Sequence, residues 1–294
     1  MRVTQSMLSG NMLRNLSGSY SKLGKLQEQI TTGKKVNRPS DDPVVAMKGI
    51  HYRTELNNVK QFSRNLGEAY NWLDTTDNTF DKIGSALQRA RELMVQASSD
   101  SVTSEDREKI NSELKQLREH IQDLSNTKIG NRYIFSGTKT TTPPYEKGVG
   151  FQDPDADPAF RSPIEIQVFN GIQIKINTNP IDLFRSVDDM FAQIDNNIST
   201  ATGTDLSAHI DAIDDQLDAL LSMRADIGAR QNRIELMDDR LQSQEIIATK
   251  QMSDNEDVDY EKTITEMITQ ESIHRAALSV GARIIQPTLV DFLR

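Results

Sequence analysis

The side chains that could do chemistry are few and scattered. None of the four histidines has a second histidine one helical turn away, as a metal-binding helix would require; they are His51, His120, His209 and His274. The chain has no cysteine, which excludes a disulfide framework, a thiolate metal site and a cysteine nucleophile. It also lacks a glycine-rich phosphate loop and a serine-nucleophile motif. We therefore expect no catalytic, cofactor-binding or metal-binding residues, and no enzyme activity.

One acidic run, residues 153–157 with the sequence DPDAD, has the alternating carboxylates with which a calcium loop begins. A calcium loop of the EF-hand type that starts at Asp153 needs glycine at its sixth position and glutamate at its twelfth. This chain has Pro158 and Ile164 there. The run therefore predicts a surface turn. A hydrolase inserted at residues 130–180 is also disfavoured, because that segment is short and contains no histidine.

Charge and hydropathy restrict the partners. The 294 residues carry a formal net charge of −9, which argues against a nucleic-acid-binding protein. No run approaches the roughly 18 consecutive apolar residues of a membrane-spanning helix, so we expect no membrane partner. The first residues lack the apolar segment of a cleaved signal peptide, which leaves only other routes of export. Residues 1–40 form a basic arm, which is either a solvated helix face or is attracted to an acidic surface of its own chain or of a neighbour; residues 250–294 are one candidate for that surface.

Apolar residues recur at alternating steps of three and four, which predicts helices that pack side by side. The first stripe consists of Leu13, Leu16, Tyr20, Leu23 and Ile30, and Gly33 ends its helix. The second predicted helix covers residues 43–97 and would be about 80 Å long. A third stripe covers residues 110–124, and Gly130 is expected to end its helix. A fourth stripe covers residues 206–241. A last and looser stripe lies in residues 260–293.

Residues 130–180 have a different character, because glycines and prolines cluster there. Two alternating runs, 164–168 and 172–176, flank Asn170-Gly171. This pattern predicts a β-hairpin with a type I′ turn, in which both central residues have positive φ. Residues 180–200 predict one short helix.

The predicted fold is therefore mainly α: an elongated antiparallel helical rod from the N- and C-terminal segments, with a small mid-chain β-containing domain. Residues 1–40 and 255–294 are assigned to terminal coiled-coil segments. Residues 41–130 and 200–254 are assigned to a helical rod domain, and 131–199 to the small β-containing domain.

The terminal stripes are too narrow to form a core alone, so they must pair with each other or with neighbouring subunits. We expect polymerisation to bury them. An intramolecular bundle that hides every stripe in a monomer remains the alternative. The predicted assembly residues are Leu13, Leu16, Tyr20, Leu23, Ile30, Leu278, Ile285, Leu289, Phe292 and Leu293.

A corner between the first two helices is predicted at residues 33–43. Gly33 stops the first helix, Pro39 keeps the approach to Ser40 extended, and Asp42 caps the next helix with Pro43 at its first position. The full motif is Gly33, Lys34, Lys35, Val36, Asn37, Arg38, Pro39, Ser40, Asp41, Asp42 and Pro43.

This corner motif, the opening residues 1–4 (MRVT), the segment 131–137 (NRYIFSG) and the ending 289–294 (LVDFLR) together resemble the flagellin superfamily. Within it, the motifs are most similar to those of hook–filament junction proteins. The resemblance covers residues 1–140 and 205–294. The chain departs from the family pattern at Pro287, which should kink or end the last helix.

The resemblance implies a structural subunit that connects hook to filament by polymerisation. It implies an extracellular location on the bacterial flagellum, reached by type III export without a cleaved signal peptide. The implied partners are further copies of the chain in a ring, the other hook-associated junction protein, flagellin, the filament cap and an export chaperone. Two alternatives remain at this point: a divergent flagellin that forms filament itself, and a cytoplasmic coiled-coil adaptor.

Overall fold

The computed structural model describes residues 5–99, 102–198 and 203–284, and its architecture is mainly α, as predicted. None of the described helices is long and apolar enough to cross a membrane. The helices are α1 (Gln5–Thr32), α2 (Pro43–Ala97), α3 (Ser104–Ser125), α4 (Ile181–Asn197), α5 (Gly203–Glu256) and α6 (Tyr260–Ile284). The strands form three antiparallel pairs: β1 (Lys128–Ile129) with β2 (Arg132–Tyr133), β3 (Tyr145–Glu146) with β4 (Gly150–Phe151), and β5 (Glu165–Phe169) with β6 (Ile172–Lys175).

The chain divides into two compact units. The terminal unit contains residues 1–58 and 244–294, and the central unit contains residues 59–243. Helices α2 and α5 contribute to both units.

The core of the central unit follows a strict seven-residue repeat on the two long helices. The repeat buries Leu66, Leu73, Phe80, Leu87 and Met94 on α2, and Leu206, Ile213, Leu220, Ile227, Ile234 and Leu241 on α5. Each such side chain contributes roughly 1.5–3 kcal/mol when it is fully buried. Helix α3 adds Ile110, Leu114 and Ile121 to the same core. The predicted stripes on these three helices face the core, except that Tyr70, which belongs to the predicted stripe of α2, is 50% exposed.

Asp77 and Arg224, two polar residues at stripe positions of α2 and α5, form an ion pair. The guanidinium of Arg224 on α5 donates to Asp77 on α2 across 2.9 Å and to Asp81 across 2.8 Å. Polar pairs at such positions fix the register of two helices at some cost in stability. These hydrogen bonds raise the pKa of Arg224 above its usual range, against the opposing effect of its partial burial.

The mid-chain strands dock on the long helices through aromatic side chains. Phe135, which is fully buried, stacks on Phe80 of α2 at 5.6 Å and meets the edge of Phe184 of α4 at 5.3 Å. Gly137 follows with φ of 57°, and a side chain there would collide with the backbone of Ala159 and Phe160. Packing therefore explains the residue types at Phe135 and Gly137.

Two local predictions need correction. The β5–β6 hairpin forms, but only Gly171 has positive φ, at 76°, so its turn is not type I′; the strand pairing also shifts by one residue between Gln167 and Phe169. Helix α3 ends at Ser125, where the amide of Asn126 bonds back to the last turn, and does not extend to Gly130. Gly130 lies in the β1–β2 turn, with φ of 59°.

Candidate assembly surface

The corner between α1 and α2 is built largely as predicted. Gly33 ends α1 with φ of 70°, a conformation that glycine adopts without strain. The carboxylate of Asp42 caps α2 by accepting hydrogen bonds from the amides of Val44, at 3.0 Å, and Val45, at 3.1 Å. Pro43 is the first residue of α2, a position whose N–H has no hydrogen-bond partner within the helix, so proline loses nothing there.

The approach to Ser40 is a turn, so the predicted extended approach is wrong. The amide of Asp41 donates to the carbonyl of Arg38 across 2.9 Å, and Pro39 and Ser40 occupy the two central positions. Proline is preset for the first central position of such a turn. A hydrogen bond from Lys25 holds the pKa of Asp41 below its usual range. Asn37 completes the corner, with its side-chain oxygen 2.9 Å from the Thr32 hydroxyl.

A second set of contacts, which we term the corner clamp, joins the corner to the α5–α6 junction; it consists of Lys34, Lys35, Arg53, Glu256 and Asp257. The amide of Lys35 donates to the carbonyl of Glu256 at 2.6 Å, and the ammonium of Lys34 lies 2.7 Å from Asp257. The Glu256 carboxylate, which is 8% exposed, lies 2.6 Å from Arg53 and 3.5 Å from Lys34.

Sequence reasoning identified neither Arg53 nor Glu256 as a site residue. They lie 203 positions apart, and neither belongs to a motif. The basic character of residues 1–40 and the acidic character of residues 250–294 are the sequence signals that these segments meet.

Helices α1 and α6 pair antiparallel in the terminal unit. Ser19 and Gln270 share a hydrogen bond of 2.9 Å, Met12 lies against Gly281, and Gly33 lies against Tyr260. The pairing places Leu16, Leu23 and Ile30, three of the predicted stripe residues, in half-buried positions. The seam between the helices also contains polar residues that are nearly buried, Ser19 and Thr263.

The other predicted residues of α1 lie outside this seam. Leu13 is 59% exposed and Tyr20 is 72% exposed. At about 100° per residue, both lie about 90° around α1 from the seam. Leu278 on α6, 49% exposed, lies on the same side of the pair. The predicted assembly residues Ile285, Leu289, Phe292 and Leu293 lie outside the described residues.

Exposed apolar side chains are concentrated in the terminal unit. Of the twenty large apolar residues that are exposed in the described part of the chain, fifteen belong to this unit and five to the central unit. On α6 they include Ile264, Ile268, Ile273, Leu278 and Val280. Such a concentration of exposed apolar side chains indicates an interaction region.

The acidic run 153–157 is a surface turn in which the carboxylates are paired within the chain. Asp153 bonds Arg185, Asp155 bonds Arg161, and Asp157 bonds Lys139. No group of three His, Cys, Asp or Glu among residues 5–99, 102–198 and 203–284 has the arrangement of a metal site.

Comparison with known protein families gives two matches. Residues 3–140 match the bacterial flagellin N-terminal helical region, and residues 210–293 match the bacterial flagellin C-terminal helical region. The chain belongs to the flagellin family. The two matches cover the helices α1, α2, α3 and α6 and most of α5, and they leave out most of the mid-chain segment. The resemblance inferred from the sequence motifs is confirmed.

The similar curated proteins are flagellar. The chain is 28% identical to flagellar hook-associated protein 3 of Escherichia coli, over 94% of this chain and 95% of that protein. It is 25% identical to the Salmonella typhimurium protein of the same name, over 94% and 95%. It is also 26% identical to a flagellin of Bacillus subtilis, over 96% of each chain.

Solved structures share the fold. A putative flagellar hook-associated protein from Vibrio parahaemolyticus superposes with a TM-score of 0.64 at 22% identity, covering 74% of this chain and all of that one. FlgL of Bacillus cereus gives a TM-score of 0.59 at 22% identity, covering 69% of this chain and 99% of that one. The chain is a flagellar structural protein, as predicted, and it assembles with other flagellar components. These matches give no support to the cytoplasmic adaptor.

Proposed function

We propose that the chain is a non-catalytic subunit of the hook–filament junction, which connects hook to filament by polymerising through its terminal unit. The observation that carries the proposal is the concentration of exposed apolar residues there, fifteen of the twenty in the described chain. Similarity to hook-associated protein 3 over nearly the full length of both chains supports the junction in particular.

The free-energy balance supports assembly over a self-sufficient monomer. Residues such as Leu13, Tyr20 and Leu278 are about half to three quarters exposed, so pairing α1 with α6 gains only part of their burial free energy. Burial of the remaining surface against a neighbour would add about 1–2 kcal/mol for each. This gain is available only in an assembly, so it favours the assembled state over the free chain.

The specific partners follow from the same proposal. Copies of the chain form a ring, with the other hook-associated junction protein on one side and flagellin or the filament cap on the other. An export chaperone covers the C-terminal helix before assembly, and the subunit reaches the outside of the cell through the flagellar type III apparatus without cleavage of a signal peptide. Residues 1–40 and 255–294 form the coiled-coil layer, 41–130 and 200–254 the helical rod, and 131–199 the small β-containing domain.

A deletion strain tests the proposal. Cells that lack the chain should export flagellin into the medium without attaching filaments, and the intact chain should restore motility. Tyr20→Glu and Leu278→Glu should leave the protein folded and exported but fail to restore attachment. Val149→Glu is the matched control, because Val149 is 74% exposed but lies in the central unit. Normal filaments in the Tyr20→Glu strain would contradict the assignment of assembly to this face.

The second candidate is a flagellin that forms filament itself, which the 26% identity to the Bacillus subtilis flagellin favours. Seeding separates the two functions. A flagellin should elongate from filament fragments, whereas a junction subunit should stop after a thin layer.

A further inference from the structure

The two sides of the α2–α5 pair in the central unit differ in what covers them. On one side Arg240 of α5 lies over the ring of Phe169 at 4.3 Å, and Arg230 donates to the carbonyl of Asn177 at 3.0 Å. The β5–β6 hairpin and the segment after it therefore cover this side. On the other side, the described residues that line the surface between the helices belong to α2 and α5 themselves.

This second side holds a recess of about 610 Å³ between the helices, lined by Gly67 and Tyr70 of α2 and by Glu235 and Asp238 of α5. Tyr70 is 50% exposed. A side chain at Gly67 would meet no heavy atom within 4 Å, so packing within the chain does not require glycine there.

A surface of the terminal unit has the complementary properties. In the first turns of α2, Val44, Met47 and Ile50 are 58%, 69% and 65% exposed. Lys48 lies among them, and Lys35 precedes them in the corner. Both ammonium groups lack a carboxylate partner among the described residues of the chain.

The charges of the two regions are opposite. The lining of the recess includes the acidic residues Glu235 and Asp238 and, among the described residues, no basic one. The first turns of α2, residues 43–52, contain Lys48 and no acidic residue. The recess therefore offers apolar and acidic groups, and the start of α2 offers apolar and basic ones.

We propose that the first turns of α2 of one copy dock in the α2–α5 recess of a second copy, with Met47 against Tyr70 and Lys48 near Glu235. The contact joins two different surfaces, so it is heterologous and generates a ring or a stack of subunits rather than a closed dimer. The inference rests on the proposed assembly function and names one interface within it.

Disulfide trapping tests this contact cleanly because the chain has no cysteine of its own. Full-length Met47→Cys and Tyr70→Cys chains, distinguished by different tags, are co-expressed in the deletion strain, and isolated flagella are oxidised. We expect a cross-link between the two variants and none in flagella that contain either variant alone. A Met47→Cys pair with itself, or a Tyr70→Cys pair with itself, would overturn the heterologous geometry. Val149→Cys replaces Met47→Cys as the matched control and should give no cross-link.

Charge reversal provides a second measurement on the same flagella. Lys48→Glu and Glu235→Lys, each introduced alone with the cysteine pair, should reduce the cross-linked fraction several-fold, and together they should restore it. Glu119→Lys, an exposed site on α3, is the control for the change in net charge. Unchanged cross-linking in both single variants would overturn the charge pairing.

The outcomes separate this inference from the proposed function. If the chain is absent from isolated flagella, the assembly function fails, and the inference fails with it. If the chain is present in flagella and supports motility but no Met47–Tyr70 cross-link forms, the assembly function stands and this interface is wrong.

Discussion

Replacing Glu256 by alanine should loosen the corner clamp by a predictable amount. The Glu256 carboxylate is almost buried and contacts two cations, Arg53 at 2.6 Å and Lys34 at 3.5 Å. The side chains of Arg53 and Lys34 are 59% and 35% exposed, so both cations can rehydrate when the carboxylate is removed. Each contact is then worth about 0.5–1 kcal/mol, and we expect a loss of about 1–2 kcal/mol.

Amide hydrogen exchange measures this loss where it occurs. The amides of Lys35 and Val258 close the clamp, donating at 2.6 Å to Glu256 and at 3.0 Å to Gly33. A loss of 1–2 kcal/mol should speed their exchange about 5- to 30-fold if local opening governs it. Glu266→Ala, an exposed carboxylate on α6, should leave both rates unchanged. Equal rates in the Glu256→Ala variant and the unmodified chain would refute the reasoning, because backbone pairing alone would then hold the corner.

Gly49→Ala provides an independent check on the clamp, because a methyl group there would collide with the Glu256 carboxylate. The collision should cancel the usual gain of about 1 kcal/mol in helix propensity. The amides of Lys35 and Val258 should then exchange faster. Asp188→Asn should reduce the free energy of unfolding near neutral pH, and by progressively less below about pH 4. Burial raises the pKa of Asp188, but hydrogen bonds from Arg118 and Gln122 outweigh the burial and lower the pKa. The stabilisation is therefore complete above the pKa of the unfolded chain and is lost as the pH falls through the folded pKa. Urea titrations between neutral and acidic pH would measure this, and a constant difference would contradict it. Gly67→Ala should stabilise the free chain by about 0.5–1 kcal/mol in thermal unfolding, since the added methyl meets no atom within 4 Å; a loss of stability would show that internal packing needs the glycine. A double-mutant cycle of Arg224→Ala and Asp77→Ala should give a coupling free energy of about 0.5–1 kcal/mol, which decreases as salt is added. A coupling of zero would show that this ion pair does not fix the register of α2 and α5.

The long helices could be predicted because their signal is local and repeated. Each apolar residue at a heptad position of α2 and α5 has its neighbours three or four positions away, so the sequence itself carries the buried face. The Asn170-Gly171 pair likewise marked a hairpin. The turn type was wrong because the one-residue shift in strand pairing next to Phe169 changes the geometry that the turn must close.

The terminal unit could be predicted only in part, because its contacts join distant segments. Periodicity placed Leu13 and Tyr20 on one stripe with Leu16 and Leu23. The seam instead runs through Met12 and Ser19 on that side of α1. The partner helix α6 determines which face of α1 is covered, because Gln270 of α6 forms a hydrogen bond with Ser19 and Gly281 leaves room for Met12. Nothing local in α1 carries that information. The contact between Arg53 and Glu256 depends in the same way on the meeting of two distant helix ends.

The helix pair of the terminal unit has a mixed seam and leaves many apolar residues outside it. The polar residues Ser19, Thr263 and Gln270 share the seam with half-buried apolar ones such as Leu16 and Leu23, whereas Leu13, Tyr20, Ile268 and Leu278 face outwards. The polar part of the seam adds little hydrophobic free energy, since a net hydrogen bond is worth only about 0.5–1.5 kcal/mol. The exposed apolar residues cannot contribute until another molecule covers them. The pairing of α1 with α6 is therefore expected to be weak in a free chain and strong in an assembly, which couples the order of the chain ends to incorporation.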